Sequence, residues 1–162
     1  MSNDNRLQGK KILIVDDEPD ILETLEDLLS MCEIEKASTF DDAWNLLGTH
    51  YYDLAILDIM GVQGYRLLEL ANERKIPALM LTAHAMTPEN VVKSFQEGAA
   101  YFLPKDEMAN ITSHLDDILE AKEKGKNTWG RWLDRLGAFF ESRFGPDWQS
   151  DHKDFWEKYM YM

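Results

Sequence analysis

The chain has 162 residues, 44% of them hydrophobic, and a formal net charge of −13. That apolar content over that length can bury a core, which excludes general disorder. The charge excludes a general nucleic-acid binder and a protein that coats anionic membranes, since both need basic patches; it suits partners that are cationic or metal-dependent.

The first stretch, MSNDNRLQGK, is polar and lacks the apolar centre of a signal peptide. No apolar run has the length of a membrane span. Cys32 is the single cysteine, so no internal disulfide can form, and it reads as a buried thiol in a reducing, cytoplasmic setting. Residues 11–15 (KILIV) form an apolar, β-branched run without alternation, as expected of a strand covered on both faces. It runs into three consecutive acids, Asp16, Asp17 and Glu18, then Pro19. From Pro19 to Met31 the apolar residues recur at helical spacing, with the proline suited to the first turn. Ile34–Ala37 is a weak second strand. Phe40–Leu47 is helical, with Thr39 or Asp41 as its cap. Leu54–Leu57 is a buried-type strand ending in Asp58. Gly61 and Gly64 mark a tight loop before a helix over Tyr65–Arg74. Pro77–Leu81 is a strand ending at Thr82. Pro88–Glu97 is a helix stopped by Gly98. Ala100–Leu103 is a fifth strand, followed by Pro104 and Lys105. A fifth helix runs from Glu107 to Lys122, with Ile111, Leu115, Ile118 and Leu119 on one side.

Strand and helix alternate five times, which predicts an α/β fold with a parallel sheet, helices on both faces and right-handed crossovers. In such sheets ligands bind outside the carboxyl ends of the strands. Asp16 and Asp17, Asp58, Thr82 and Lys105 each follow or end a different strand, so they are expected at one rim. Carboxylates gathered there raise one another's pKa unless a cation neutralises them. Hard oxygen ligands suit Mg²⁺, and a carboxylate beside such an ion can act as a nucleophile toward phosphorus. Taken singly, each residue also has a plain reading. The acids favour a helix N-terminus, Thr82 is a strand end, Phe102 is core. His84 reads as a rim residue, and the four histidines have no metal-type spacing.

The stretches ILIVDDEPD, LAILDIM, PALMLTAHA and GAAYFLPK, in this order, resemble the receiver domains of two-component response regulators. The resemblance covers roughly residues 10–122 and implies a flavodoxin-like, doubly wound five-stranded sheet of order 2-1-3-4-5. It implies that Asp58 accepts a phosphoryl group from a sensor histidine kinase or a phosphotransfer protein. Mg²⁺ would be held by Asp16, Asp17, Asp58 and the backbone carbonyl of Met60. Thr82 and Lys105 would bind the phosphoryl group, and Thr82 and Phe102 would be the switch pair. Two departures stand out. Asp106 replaces the proline that usually follows the lysine, and a cis bond to a non-proline residue costs about 3 kcal/mol, so a trans bond is expected. The loop after Asp58, IMGVQG, is shorter than the usual form and lacks its proline. One rival reading is a pseudo-receiver that serves as a phosphorylation-independent interaction module. Another is a small-molecule phosphatase, which the haloacid-dehalogenase-like pattern would support only with an acid where Met60 stands. A Gly-rich nucleotide loop and a P-loop are absent from the sequence.

After a polar linker at 123–128, a tail over 129–162 holds four of the five tryptophans. Trp129, Trp132, Leu133, Leu136, Phe139 or Phe140, and Phe144 make an amphipathic helical stripe. Gly145 and Pro146 break it, and Asp147 is expected to cap a second helix bearing Trp148, Phe155, Trp156 and Tyr159. Linker and tail together carry equal numbers of acids and bases and no base-reading motif occurs, so no nucleic acid and no membrane are expected as partners. A helical hairpin packed on the first domain or on itself, or a surface for a homodimer or a downstream protein, are the readings its aromatic content allows.

Overall fold

The computed structural model describes residues 6–83 and 87–160, without the side chains of Tyr159 and Met160. His84 therefore lies outside the described residues, as does the Tyr159 side chain. Five parallel strands, β1 (Lys11–Val15), β2 (Glu33–Ala37), β3 (Leu54–Asp58), β4 (Ala78–Thr82) and β5 (Tyr101–Pro104), form one sheet in the order β2-β1-β3-β4-β5. The four-residue core of β1 and all of β3 and β4 are buried, as continuous apolar runs between two helical layers must be. The helices between strands are α1 (Pro19–Leu28), α2 (Phe40–Thr49), α3 (Gly64–Glu73) and α4 (Pro88–Gln96), and α5 (Ile111–Lys124) follows β5. Thr39 caps α2 by accepting from the Asp42 amide, and Thr87 caps α4 in the same way from Asn90. Gly125 closes α5 in the left-handed conformation, at φ +65°.

Three boundaries differ from the sequence reading by three residues or more, the others by two at most. The first helix stops at Leu28, short of Met31. The segment after β5 begins as a 3₁₀ turn over Lys105–Asn110, and α-helix starts only at Ile111; Asn110 offers no side-chain cap to bring it earlier. In the tail, α6 (Trp129–Phe144) ends where Gly145 and Pro146 require, but α7 runs over Lys153–Met160 and does not start at Asp147. There the Asp147 carbonyl accepts from both the amide and the hydroxyl of Ser150, and these local turn bonds compete with a helix start.

The tail packs against α4, β5 and α5. Trp132 is fully buried and its ring meets Phe95 of α4 edge-on, at 4.9 Å between centroids. Its Nε1–H donates to the Phe102 carbonyl of β5 at 2.7 Å. Arg131 and Arg135 both reach the buried Asp117 carboxylate of α5. Trp148 and Trp156 close over the outer side of Trp132, the latter stacked at 6.1 Å. Phe140, and not Phe139, is the buried member of the aromatic stripe.

Behind β5 the Tyr101 hydroxyl and His114 Nδ1 share a buried hydrogen bond of 2.6 Å. Burial, with help from the Arg135 charge, lowers the His114 pKa from 6.5 to about 4. Between these values the unfolded chain binds a proton that the folded chain does not, so stability falls as the pH drops through that window. His114→Gln, which keeps an acceptor for Tyr101, is expected to reduce the loss of stability between pH 7 and pH 5 by about 2 kcal/mol, read from urea midpoints. An unchanged pH dependence in the variant would refute this assignment.

Candidate functional site

The carboxyl ends of β1, β3 and β5 bring acids and a lysine together. At the end of β1 the Asp16 amide donates to the Ala37 carbonyl, and the Asp16 Oδ1 accepts from the Glu18 amide at 2.9 Å. That bond turns the chain out of the sheet and into α1 at Pro19. Asp16 is wholly buried, and its Oδ2 has the Lys105 ammonium at 2.9 Å as compensating charge. The same ammonium lies 3.2 Å from Glu18 Oε1 and 3.5 Å from Asp58 Oδ1. Asp17 and Glu18 are exposed, while Asp58, the last residue of β3, is only 4% exposed.

Two glycines let the loop after Asp58 approach the Asp17 carboxylate and the Asp58 backbone closely. Gly61, at φ +82°, would place an added Cβ 2.5 Å from Asp17 Oδ2. A Cβ on Gly64 would meet the Asp58 carbonyl oxygen at 2.2 Å. The short loop after Asp58 is thus folded tightly against both acids, with Gln63 in the left-handed region before α3. Asp17, Glu18, Asp58, Met60, Gly61, Ala83 and Lys105 line a cleft of about 260 Å³ that opens to solvent.

The electrostatics follow from burial and like charge. Burial raises the Asp58 carboxyl to about 7; the neighbouring Asp16 and Asp17 charges add to this, and Lys105 opposes it. Burial also raises Asp16, against the pull of the Glu18 amide and Lys105. For Lys105, burial works toward a lower value, but its contacts with Asp16, Asp58 and Glu18 prevail and the ammonium is held above its usual range. By contrast, burial pushes the Cys32 thiol up to about 11, and its Sγ donates to the Leu7 carbonyl, so it is an inert group.

Asp16, Asp17 and Glu18 can each bring one carboxylate oxygen within 4.8 Å of the other two. Such a set of oxygen donors fits a hard divalent cation better than a soft one. Glu18 belongs to this group and to the Lys105 contacts, a role sequence reasoning did not assign it; its place as the third acid of the run was the available signal. Thr82 ends β4 almost wholly buried and does not itself line the cleft, whereas the next residue, Ala83, does. Phe102 is fully buried within β5, away from the cleft, with its ring 6.0 Å from Phe140 of α6. Asp106 is joined by a trans peptide bond, as is every other described residue, and its carboxylate pairs with Arg143 of α6 at 3.1 Å.

Residues 12–116 match the family model of the response regulator receiver domain. Response regulator GtcR of Aneurinibacillus migulanus is 33% identical over 141 residues, which is 79% of this chain and 58% of that protein. Two-component response regulator ARR12 of Arabidopsis thaliana is 34% identical over 130 residues, 74% of this chain but 22% of that protein. The chain therefore spans little more than half of the first relative and under a quarter of the second. Among solved structures, a CheY-like response regulator receiver domain protein from Methanospirillum hungatei JF-1 superposes with a TM-score of 0.65 at 28% identity, covering 73% of this chain and 99% of that one. No helix among the described residues is long and apolar enough to cross a membrane. With the matching span, the strand order and the acids at the carboxyl ends of the strands in agreement, the chain belongs to the response regulator receiver family.

Proposed function

We propose that this chain is a phosphoacceptor receiver, with residues 10–122 as the receiver, 123–128 as a linker and 129–162 as a helical tail. The observation that carries the reading is the approach of the Lys105 ammonium to both Asp16 and Asp58 at the mouth of a solvent-open cleft. Asp58 is the nucleophile. Its carboxylate oxygen bonds to the phosphorus of a phosphohistidine on a sensor kinase or phosphotransfer protein as the P–N bond breaks. The electron pair leaves with the imidazole, and Asp58 becomes an acyl phosphate.

Lys105 supplies a fixed positive charge to the phosphoryl oxygens, and Thr82, one residue before the cleft lining, supplies a hydroxyl to them. Asp16, Asp17, Asp58 and the Met60 carbonyl would hold Mg²⁺, with Glu18 close enough to assist. Bound there, Mg²⁺ supplies neutralisation of the charge on the transferring group. Thr82 and Phe102 form the switch pair, biased by the new phosphoryl contacts. Signalling then proceeds by protein–protein contact, without turnover of an external substrate.

Intact-protein mass after incubation with acetyl phosphate tests this. The wild type is expected to gain one phosphoryl group only when Mg²⁺ is present, and Asp58→Asn to gain none. A folded wild type that gains nothing would sink the proposal and leave a phosphorylation-independent interaction module.

A further inference from the structure

The segment that carries Lys105 is held on both sides by the C-terminal helices. Before the lysine, the Phe102 carbonyl accepts from the buried Trp132 indole at 2.7 Å. After it, the Asp106 carboxylate takes the Arg143 guanidinium at 3.1 Å. Between these anchors the Lys105 ammonium faces Asp16, Glu18 and Asp58 at 2.9, 3.2 and 3.5 Å. The bar that carries both anchors is itself fixed. Asp117 of α5 holds Arg131 and Arg135, and the rings of Trp132, Phe140, Trp148 and Trp156 pack together. A lysine side chain has large rotamer freedom and its segment here is a short 3₁₀ turn. Fixing that segment in the folded protein removes an ordering cost from the reaction that uses the ammonium.

We propose that α6 and α7 position Lys105: Trp132 and Arg143 hold residues 102–106 so that the ammonium stands ready beside Asp58. This rests on the reading of Asp58 as the phosphoacceptor. Trp132 and Arg143 touch no reacting atom; they are positioning residues.

The test compares the rate of Mg²⁺-dependent mass gain from acetyl phosphate in the full chain and in Trp132→Phe, Arg143→Glu, Arg143→Lys and the Trp132→Phe/Arg143→Glu pair. Amide exchange over residues 102–108 is read alongside. Trp132→Phe keeps an apolar ring and removes the indole donor. The pair is expected to label roughly threefold or more slowly, the size that one buried hydrogen bond and one exposed ion pair allow. Arg143→Lys, which keeps the charge, stays near the wild-type rate, and exchange over 102–108 accelerates in the pair. Leu25→Val, a core change in α1 away from the tail, leaves the rate within about twofold, so general destabilisation is distinguished from positioning. A pair that labels at the wild-type rate or faster overturns the proposal while leaving the phosphoacceptor reading intact. If the wild type takes up no phosphoryl group, the phosphoacceptor reading falls. Unchanged exchange over 102–108 would then remove the positioning link as well, and faster exchange would retain it.

Discussion

Asp58→Asn is expected to make the protein more stable, by about 2–4 kcal/mol at pH 8 without divalent cations. The carboxylate it removes is 4% exposed and raised from 3.8 to about 7 by burial first and by its acidic neighbours second. Above pH 7 the folded chain must therefore hold a charge that the unfolded chain carries at no such penalty. The lower end of the range allows for the Lys105 contact at 3.5 Å, which the substitution also weakens. The sign with pH follows. Between 3.8 and about 7 the folded wild type binds a proton that the unfolded chain does not, so the wild type loses stability as the pH rises through that window. The advantage of the variant should accordingly shrink on acidification and be almost gone near the unfolded value. Mg²⁺ should narrow it too, by supplying the missing positive charge. Urea midpoints of both proteins at pH 5 and pH 8, with and without Mg²⁺, decide the matter. An Asn variant less stable than the wild type at pH 8 would show that the carboxylate is well compensated as it stands.

Trp132→Ala should loosen the tail by about 3–5 kcal/mol, the usual range for truncating a fully buried large aromatic side chain. The ring lies at the centre of the aromatic cluster, between Phe95 on one side and Phe140, Trp148 and Trp156 on the other. Its loss also removes the indole's hydrogen bond to the Phe102 carbonyl. The effect should be local. Strands β1 and β3 pair with each other, and β1 also with β2 and β3 with β4, so neither depends on α6 for its ladder. Amides of α6 are expected to exchange about 100-fold faster or more, while those of β1 and β3 keep their protection. Equal acceleration everywhere would mean that the tail and the sheet unfold as one unit.

The sheet was legible because β1, β3 and β4 are unbroken apolar runs, each stopped by a residue that apolar packing does not explain. Asp16, Asp58 and Thr82 could be assigned to one rim for that reason, and Lys105 because it follows the apolar run of β5. β2 was fainter: EIEKA has a single buried residue, and only its pairing with β1 makes it a strand. Glu18 was overlooked because an exposed acid before a helix satisfies local rules without any site. The docking of the tail left no local trace. Trp132 finds the Phe102 carbonyl thirty residues away, and Asp106 finds Arg143 across thirty-seven. The aromatic stripe foretold a buried face but not what it would cover. Asp117, in the middle of a helix, gave no sign that two arginines would reach it.

The packing of the tail over β5 has a consequence for how the molecule avoids its own kind. β2 and β5 are the two open edges of the sheet, where a strand from another chain can add. β2 is guarded by exposed charge, Glu33, Glu35 and Lys36. β5 is apolar and has no such guard. It is covered instead by α6, which reaches Phe95 of α4 and Asp117 of α5, on the two helices that flank the strand. The helix that follows the linker thus stands where a neighbouring chain would have to lie. A chain shortened before Thr128 would keep its five strands and expose a bare apolar edge, and it would be prone to self-association through strand addition.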